Sequence, residues 1–405
     1  MLLLLAVGGP LRAQPSAETA WLNQHIAPIE HLRAGRSLAD LRALAPLVAG
    51  ARVVALGECT HGSREVFQLK HRLLEYLVTE HGFNTFAIEA DYAFGQILNE
   101  YVRTGQGDSL TVRHAPGYAV WKTTEVWDMI AWIRAYNQTH TTQIQYVGID
   151  TQNPFPNLLM LKHFAEQRAD SALKNQLFRL FDQHQLIKNK WETIPPNTRR
   201  RIRQLSAQVE QRVGAAGAPA GIQQNARVLS QLADQLQAPA RPVRDQAMAA
   251  NTSWILAQNP AAKVVLWAHN EHIRKNEDAQ QRLGFQLRRE LGPAYVAVGF
   301  ATGTGTMSTY SPTGQHRIEP LQAPIPDSFE ARLNQADPPV FLLNLRAIGV
   351  PTAASRWLSR PQWFRLVGAR LTSADPRRQF SWQQPLPTLF DALIYLRQTS
   401  ASQPY

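Results

Sequence analysis

A single cysteine, Cys59, leaves this chain without an intramolecular disulfide, so cysteine pairing says nothing about its redox compartment. Long apolar runs are also missing. No segment approaches the ~18 consecutive apolar residues needed to span a bilayer, and no membrane span is expected. Acidic residues are scarce relative to basic ones, 31 against 42, giving a formal net charge of +11. Such a balance suits phosphate neutralisation. Here, however, only Arg199, Arg200, Arg201 and Arg203 form a tight run, with no aromatic residues interleaved and no recognised binding module, so they are read as a solvated helix face and no nucleic-acid partner is expected. The G-x-S-x-G turn is absent too, which removes the Ser-His-Asp route of the α/β-hydrolases. No internal repeat is visible, and nothing specifies an oligomeric state.

What is present is ordinary globular composition, 44% hydrophobic and 18% charged over 405 residues, enough for a large core. Strand-like runs spread along the chain favour one α/β domain with an insertion over a string of domains. Met1–Gln14 begins with a short apolar run that lacks a basic n-region and reaches Leu11-Arg12-Ala13, resembling a secretory signal peptide truncated at its start. Export to the periplasm or beyond is therefore expected; if the segment is only a tail, the protein is cytoplasmic.

The stretch from Val53 to Lys70 organises the rest. Arg52–Leu56 reads as a short buried strand closed by Gly57, and from Ser63 onward Val66, Leu69, Leu73, Leu74 and Leu77 recur at helical spacing. Glu58, Thr60 and His61 thus occupy a βα turn, and in open α/β sheets the ligand crevice lies outside the carboxyl ends of the strands. Further strands are read at Thr85–Glu89, Ile144–Ile149, Lys263–Ala268, Ala294–Phe300 and Val340–Leu345. Helices are read at 17–32, from Ser37 with Pro46 as its kink or end, at about 93–103, and at 123–137. Residues 105–120 read as a long loop and Gly303-Thr304-Gly305-Thr306 as a turn. From Pro154 to Met248 no strand pattern appears, and the segment reads as helical, broken near 194–197, 214–221 and 238–243. The expected fold is α/β, a mainly parallel central sheet flanked by helices, with residues 15–153 and 251–400 as the core and 154–250 as a helical insertion forming a lid.

The motif Gly57-Glu58-Cys59-Thr60-His61-Gly62, with Glu65, Lys70, Gly82-Phe83 and Ala87-Ile88-Glu89, resembles the opening of the erythromycin esterase family. Trp121, Val147–Asp150, Arg244-Asp245 with Asn251, and Trp267 through His272 match the same pattern in the same order; Glu271 departs from it, standing where the family more often has a small residue. The resemblance implies hydrolysis of a small-molecule ester or lactone, with the macrolide ring as the namesake substrate.

Four strand ends each deliver candidates: Glu58 with His61, Glu89, Asp150, and His269 with His272. Without a nucleophilic serine, water is the expected nucleophile. His61 is assigned as general base, with Glu89 or Glu58 orienting it or the water; His269 and His272, if protonated, or Arg64 or Arg244 supply the oxyanion donors, and the resemblance favours His269 most. Trp121, Trp127 and Trp267 are expected either to line the pocket or to fill the core. Cys59 is read as a small filler and not as a nucleophile. No cofactor is required by this scheme; the alternative is a divalent metal ion held by Glu58, His61, Glu89, His269 and His272 in a hydrolase of another ester or amide. Glu65, Lys70 and Asp245 carry equally good structural readings.

Overall fold

The computed structural model describes residues 16–186, 193–238, 242–311, 313–371 and 375–405; the expected signal segment, Met1–Gln14, lies outside them. The strands are β1 (Ile26–Pro28), β2 (Val53–Leu56), β3 (Thr85–Asp91), β4 (Gln145–Asp150), β5 (Val264–Trp267), β6 (Tyr295–Tyr310), β7 (His316–Leu321), β8 (Val340–Asn344), β9 (Gln362–Arg365), β10 (Phe380–Gln383) and β11 (Ala392–Thr399). Nine of them form one sheet in the order β1-β8-β11-β6-β2-β5-β3-β4, with β7 paired to β6. From β11 to β4 every neighbour is parallel, while β8 and β7 run antiparallel to β11 and β6. The protein is therefore an α/β fold around a mainly parallel sheet.

The apolar strands are explained by burial on both faces. Val53 and Ala55 join one core with Val264, Leu266 and Ala297, and Val54 and Leu56 join the other with Val265, Trp267 and Val298. That is the period-2 alternation of a strand covered on both sides. The first face is packed by the helices Val243–Gln258 and Leu283–Leu291, the second by Arg64–His81 and Thr124–Thr139. Arg64–His81 ends where Gly82 adopts φ +69° and its N–H caps the Leu77 and Val78 carbonyls. Between β4 and β5 four helices, Pro154–Gln167, Ser171–Leu186, Pro196–Ala215 and Ala220–Gln237, enclose a third core around Leu161, Leu180, Val209 and Leu229.

Several sequence expectations are corrected. The helix expected over 17–32 stops at His25, and Ile26–Pro28 instead pairs with β8; proline lacks the N–H of a central strand and is tolerated on this edge. Residues 39–44 form a 3₁₀ turn in place of a capped α-helix, and Pro46 sits in the first turn of the short helix Ala45–Val48 instead of ending one. The expected loop at 105–120 contains the helix Ser109–His114, capped by Asp108. The largest miss is Gly303–Thr306: it is no turn but the middle of β6, which runs sixteen residues. At Gly305, φ is +130° and an added Cβ would lie 1.8 Å from the Thr399 carbonyl oxygen of β11. Glycine there signals close backbone approach within a strand. β1, β7, β9, β10 and β11 also escaped sequence reading, β7 because its residues are mostly exposed and polar.

Gly305→Ala is expected to destabilise the protein by at least about 2 kcal/mol, since it combines a disfavoured backbone conformation with a clash; urea unfolding followed by far-ultraviolet circular dichroism would measure the loss, and an unchanged midpoint would contradict the assignment.

Candidate active site

Four neighbouring strands, in the spatial order β2-β5-β3-β4, send their carboxyl ends to one edge. With strands ~4.8 Å apart, the groups they deliver fall into a row: Glu58 and His61 after β2, His269 and His272 after β5, Glu89 and Asp91 at the end of β3, Asp150 at the end of β4.

At the β2 end, His61 donates from Nδ1 to Glu58 Oε1 (2.7 Å), and Lys70 donates from Nζ to Glu58 Oε2 (2.6 Å). Glu58 and Lys70 are wholly buried, while the His61 side chain keeps 11% exposure. Nδ1 thus carries a proton, and Nε2 has no partner among the described residues. The turn is held from behind. Gly62 accepts from the backbone N–H groups of Ser308 and Ser402, and a Cβ on it would lie 1.9 Å from the Ser308 carbonyl oxygen. Glu65 accepts from the Ser400 backbone N–H (2.6 Å) and hydroxyl (2.7 Å), binding residues 335 positions apart.

His269 stands 5.1 Å from His61, centroid to centroid. It occupies the N-cap position of the short helix Asn270–Ile273, where its Nδ1 accepts from the Glu271 N–H (3.2 Å). The proton is accordingly on Nε2, which is buried and makes no well-formed hydrogen bond among the described residues, with the Cys59 backbone beside the ring. Burial, then the nearby His61 and His272, push His269 well below the usual histidine range. It is a donor without being charged, in contrast to the expectation of a protonated donor.

His272, three residues on, has the opposite character. Burial opposes its charge, but Glu89 and Asp245 raise it to about 10. It donates from Nδ1 to Asp245 Oδ1 (2.8 Å), and its Nε2 lies 3.3 Å from Glu89 Oε1 and 3.1 Å from Arg244 Nη1. As an imidazolium it donates toward Glu89, and the guanidinium beside it is a like-charged neighbour. Both ring nitrogens therefore have partners within the protein.

Arg244 links the remaining acids. Its Nη2 donates to Glu89 Oε1 (2.7 Å) and Asp150 Oδ2 (2.7 Å), and its Nε to Asp150 Oδ1 (3.0 Å). Burial resists ionisation of Glu89, yet His272 and Arg244 hold it well below the carboxylate range. Its Oε2 accepts from the His269 backbone N–H (3.0 Å), which fixes the start of the histidine segment. Beyond lies Tyr118, whose hydroxyl is 3.0 Å from Asp91 Oδ1 and 3.1 Å from Asp150 Oδ2. Burial and the Asp150 charge push Asp91 well above the usual range.

The structure therefore brings Glu58, His61, Glu89, His269, His272 and Arg244 together. Arg64 is placed 3.3 Å from Glu125, with no contact to these groups among the described residues. Trp121 is 1% exposed: it backs the site, its ring 5.2 Å from that of His61 and its Nε1 donating to the Glu89 carbonyl. Trp267 is fully buried beneath Lys70, and Trp127 packs on Tyr101. Cys59 is buried, its thiol pushed up to about 11 by burial. Glu271, the departure from the family pattern, accepts from Arg274 and Arg282 at the rim. Among the described residues no three His, Cys, Asp or Glu are arranged to hold a metal ion.

A family model described as erythromycin esterase matches residues 78–399. The chain belongs to the erythromycin esterase family. The matched span takes in Glu89, Arg244, His269 and His272 and begins after the turn carrying Glu58 and His61. Over 338 residues the chain is 27% identical to the erythromycin esterase type II of Escherichia coli, covering 72% of this chain and 78% of the relative. Two solved structures share the fold: a succinoglycan biosynthesis protein (TM-score 0.82, 23% identity, 96% of this chain and 98% of that one) and a mutant erythromycin esterase in its open conformation (TM-score 0.70, 21% identity, 90% and 94%).

Asp91 and Tyr118 were not found from sequence. Asp91 follows Glu89 by two residues on the same strand, the one signal available; Tyr118 lies in a segment without periodicity.

Breaking a buried ion pair by removing one partner costs about 3–5 kcal/mol, and His272→Gln should approach that at neutral pH. The folded-state value of His272 is raised, so its contribution is complete below the unfolded value near 6.5 and disappears as pH rises through about 10. Urea unfolding of both proteins across this range should show the difference shrinking with rising pH; a constant gap would refute a charged His272.

Proposed function

We propose that the protein hydrolyses a carboxylic ester by direct attack of water, with His61 as general base. The reading rests on one arrangement: an imidazole whose Nδ1 is committed to Glu58, leaving Nε2 unpartnered among the described residues, opposite a second imidazole whose buried Nε2–H makes no well-formed hydrogen bond among them. One ring is set to accept a proton and the other to donate a hydrogen bond. Water bound at His61 Nε2 gives up its proton as its oxygen bonds the acyl carbon. The carbonyl oxygen becomes an oxyanion and takes the hydrogen bond of His269 Nε2–H, while Glu58 stabilises the imidazolium. Collapse breaks the bond to the alkoxy oxygen, which receives the proton back from His61 Nε2. The products are an acid and an alcohol, joined in one molecule when the substrate is a lactone.

Family membership and the Escherichia coli relative named for erythromycin make a macrolide lactone the first substrate to test. The helical segment 154–250, which includes Arg244, is the proposed lid over the site. Metal is given no role in this scheme, because the donors of the five-residue set are turned onto one another: Glu58 onto Lys70 and His61, Glu89 onto Arg244 and His272.

The test is hydrolysis of a macrolide panel and simple aryl esters by wild type, His61→Ala and His269→Ala, with and without EDTA. His61→Ala is expected to lose about 100- to 10,000-fold in kcat and His269→Ala about 100- to 1,000-fold, with EDTA without effect. Loss of wild-type activity in EDTA, restored by a divalent ion, would overturn the metal-free scheme.

A further inference from the structure

Lys70 is an unusual residue to find where it is. It is a lysine with no exposed side-chain surface, its ammonium 4.3 Å from the centre of the Trp267 ring and 5.9 Å from that of Phe300, with Glu58 Oε2 as its one hydrogen-bond acceptor among the described residues. Around it the facing groups are few: Glu58 from the turn after β2, the Cys59 thiol beside it, and Glu89 from β3. Burial pulls Lys70 down to about 8, so at neutral pH it remains mostly charged. The aromatic faces leave the ammonium no other anion in contact, and the cation is directed at one carboxylate oxygen while the other oxygen of that carboxylate holds His61 Nδ1.

We propose that Lys70 is a positioning residue that sets the tautomer of His61 through Glu58. A carboxylate pinned by Lys70 at Oε2 offers Oε1 as an acceptor only, so Nδ1 must carry the proton and Nε2 keeps its lone pair for water. Remove the cation, and a carboxylate with no exposure to water gains a proton more readily. A protonated Glu58 can donate to Nδ1, which moves the ring proton to Nε2 and leaves no lone pair to accept from water. The wrong tautomer in a histidine base costs several orders of magnitude in rate elsewhere. The inference rests on the reading of His61 as base for its catalytic consequence, but the tautomer itself is measurable without turnover.

The geometry also dictates a non-additive pattern. In Glu58→Gln the Lys70 ammonium, a donor only, selects the amide rotamer whose oxygen faces Lys70. The amide N–H group is then turned toward His61 Nδ1, and the ring is forced into the wrong tautomer. Adding Lys70→Met frees the amide to turn its oxygen to Nδ1.

The experiment is ¹⁵N NMR of histidine-labelled wild type, Lys70→Met, Glu58→Gln and the double variant, with kcat on an aryl ester and circular dichroism as the folding check. Expected are a proton on Nδ1 in wild type, on Nε2 in each single variant, and a return toward Nδ1 in the double variant. Each single variant should lose at least about 100-fold in kcat, and the double should exceed Glu58→Gln by about tenfold. Should Lys70→Met fail to fold, the comparison of Glu58→Gln with the double variant decides. A His61 proton that stays on Nδ1 in Glu58→Gln would overturn the proposal, as would a double variant with its proton still on Nε2. Correct tautomers with a fully active His61→Ala would instead sink the base assignment and leave Lys70 as the determinant of the ring's tautomer.

Discussion

Glu89 and Asp150 lie on adjacent parallel strands, almost without water, and as neighbouring anions they would repel one another. The Arg244 guanidinium, bonded to both, is what makes the edge of this sheet tenable. Its planar fork suits two acceptors at once in a way that a lysine ammonium does not. From that contact the rest of the row is set: Glu89 is free to spend its second oxygen on the His269 backbone, and the segment leaving β5 starts where that bond places it. The charges nearly balance, with Glu58, Glu89, Asp150 and Asp245 set against Lys70, Arg244, His272 and Arg282.

Two histidines three residues apart illustrate how environment and not residue type assigns a role. His269 meets a backbone N–H at Nδ1 and a neighbouring imidazole, and stays neutral. His272 meets two carboxylates, and is held as a cation. Their ring nitrogens therefore offer different things to a substrate, although the sequence writes both with one letter.

The parallel core was legible because burial on both faces leaves a signature, short apolar runs rich in valine, and these located β2 to β5 within a residue or two at each end. Strands without that signature were lost: β7 is polar and exposed, β1 contains a proline and borders solvent, and β6 continues through glycines that read as a break. At the site, acids and histidines following such runs stood out, so Glu58, His61, Glu89 and His269 could be named without coordinates. Their division of labour could not. Which carboxylate meets His61 depends on β5 inserting between β2 and β3, an ordering no local pattern encodes. Arg64, adjacent to the motif, meets Glu125, a partner 61 positions away that no local pattern announces. Tyr118, distant and aperiodic, closes the far end.

The clasp behind the turn carries one more consequence. Gly62, Arg64 and Glu65 are bonded to Ser400 and Ser402, so the conformation of one segment is completed by residues far along the chain. A change near Ser400 is therefore felt at the turn carrying His61, although 335 positions separate Glu65 from its partner.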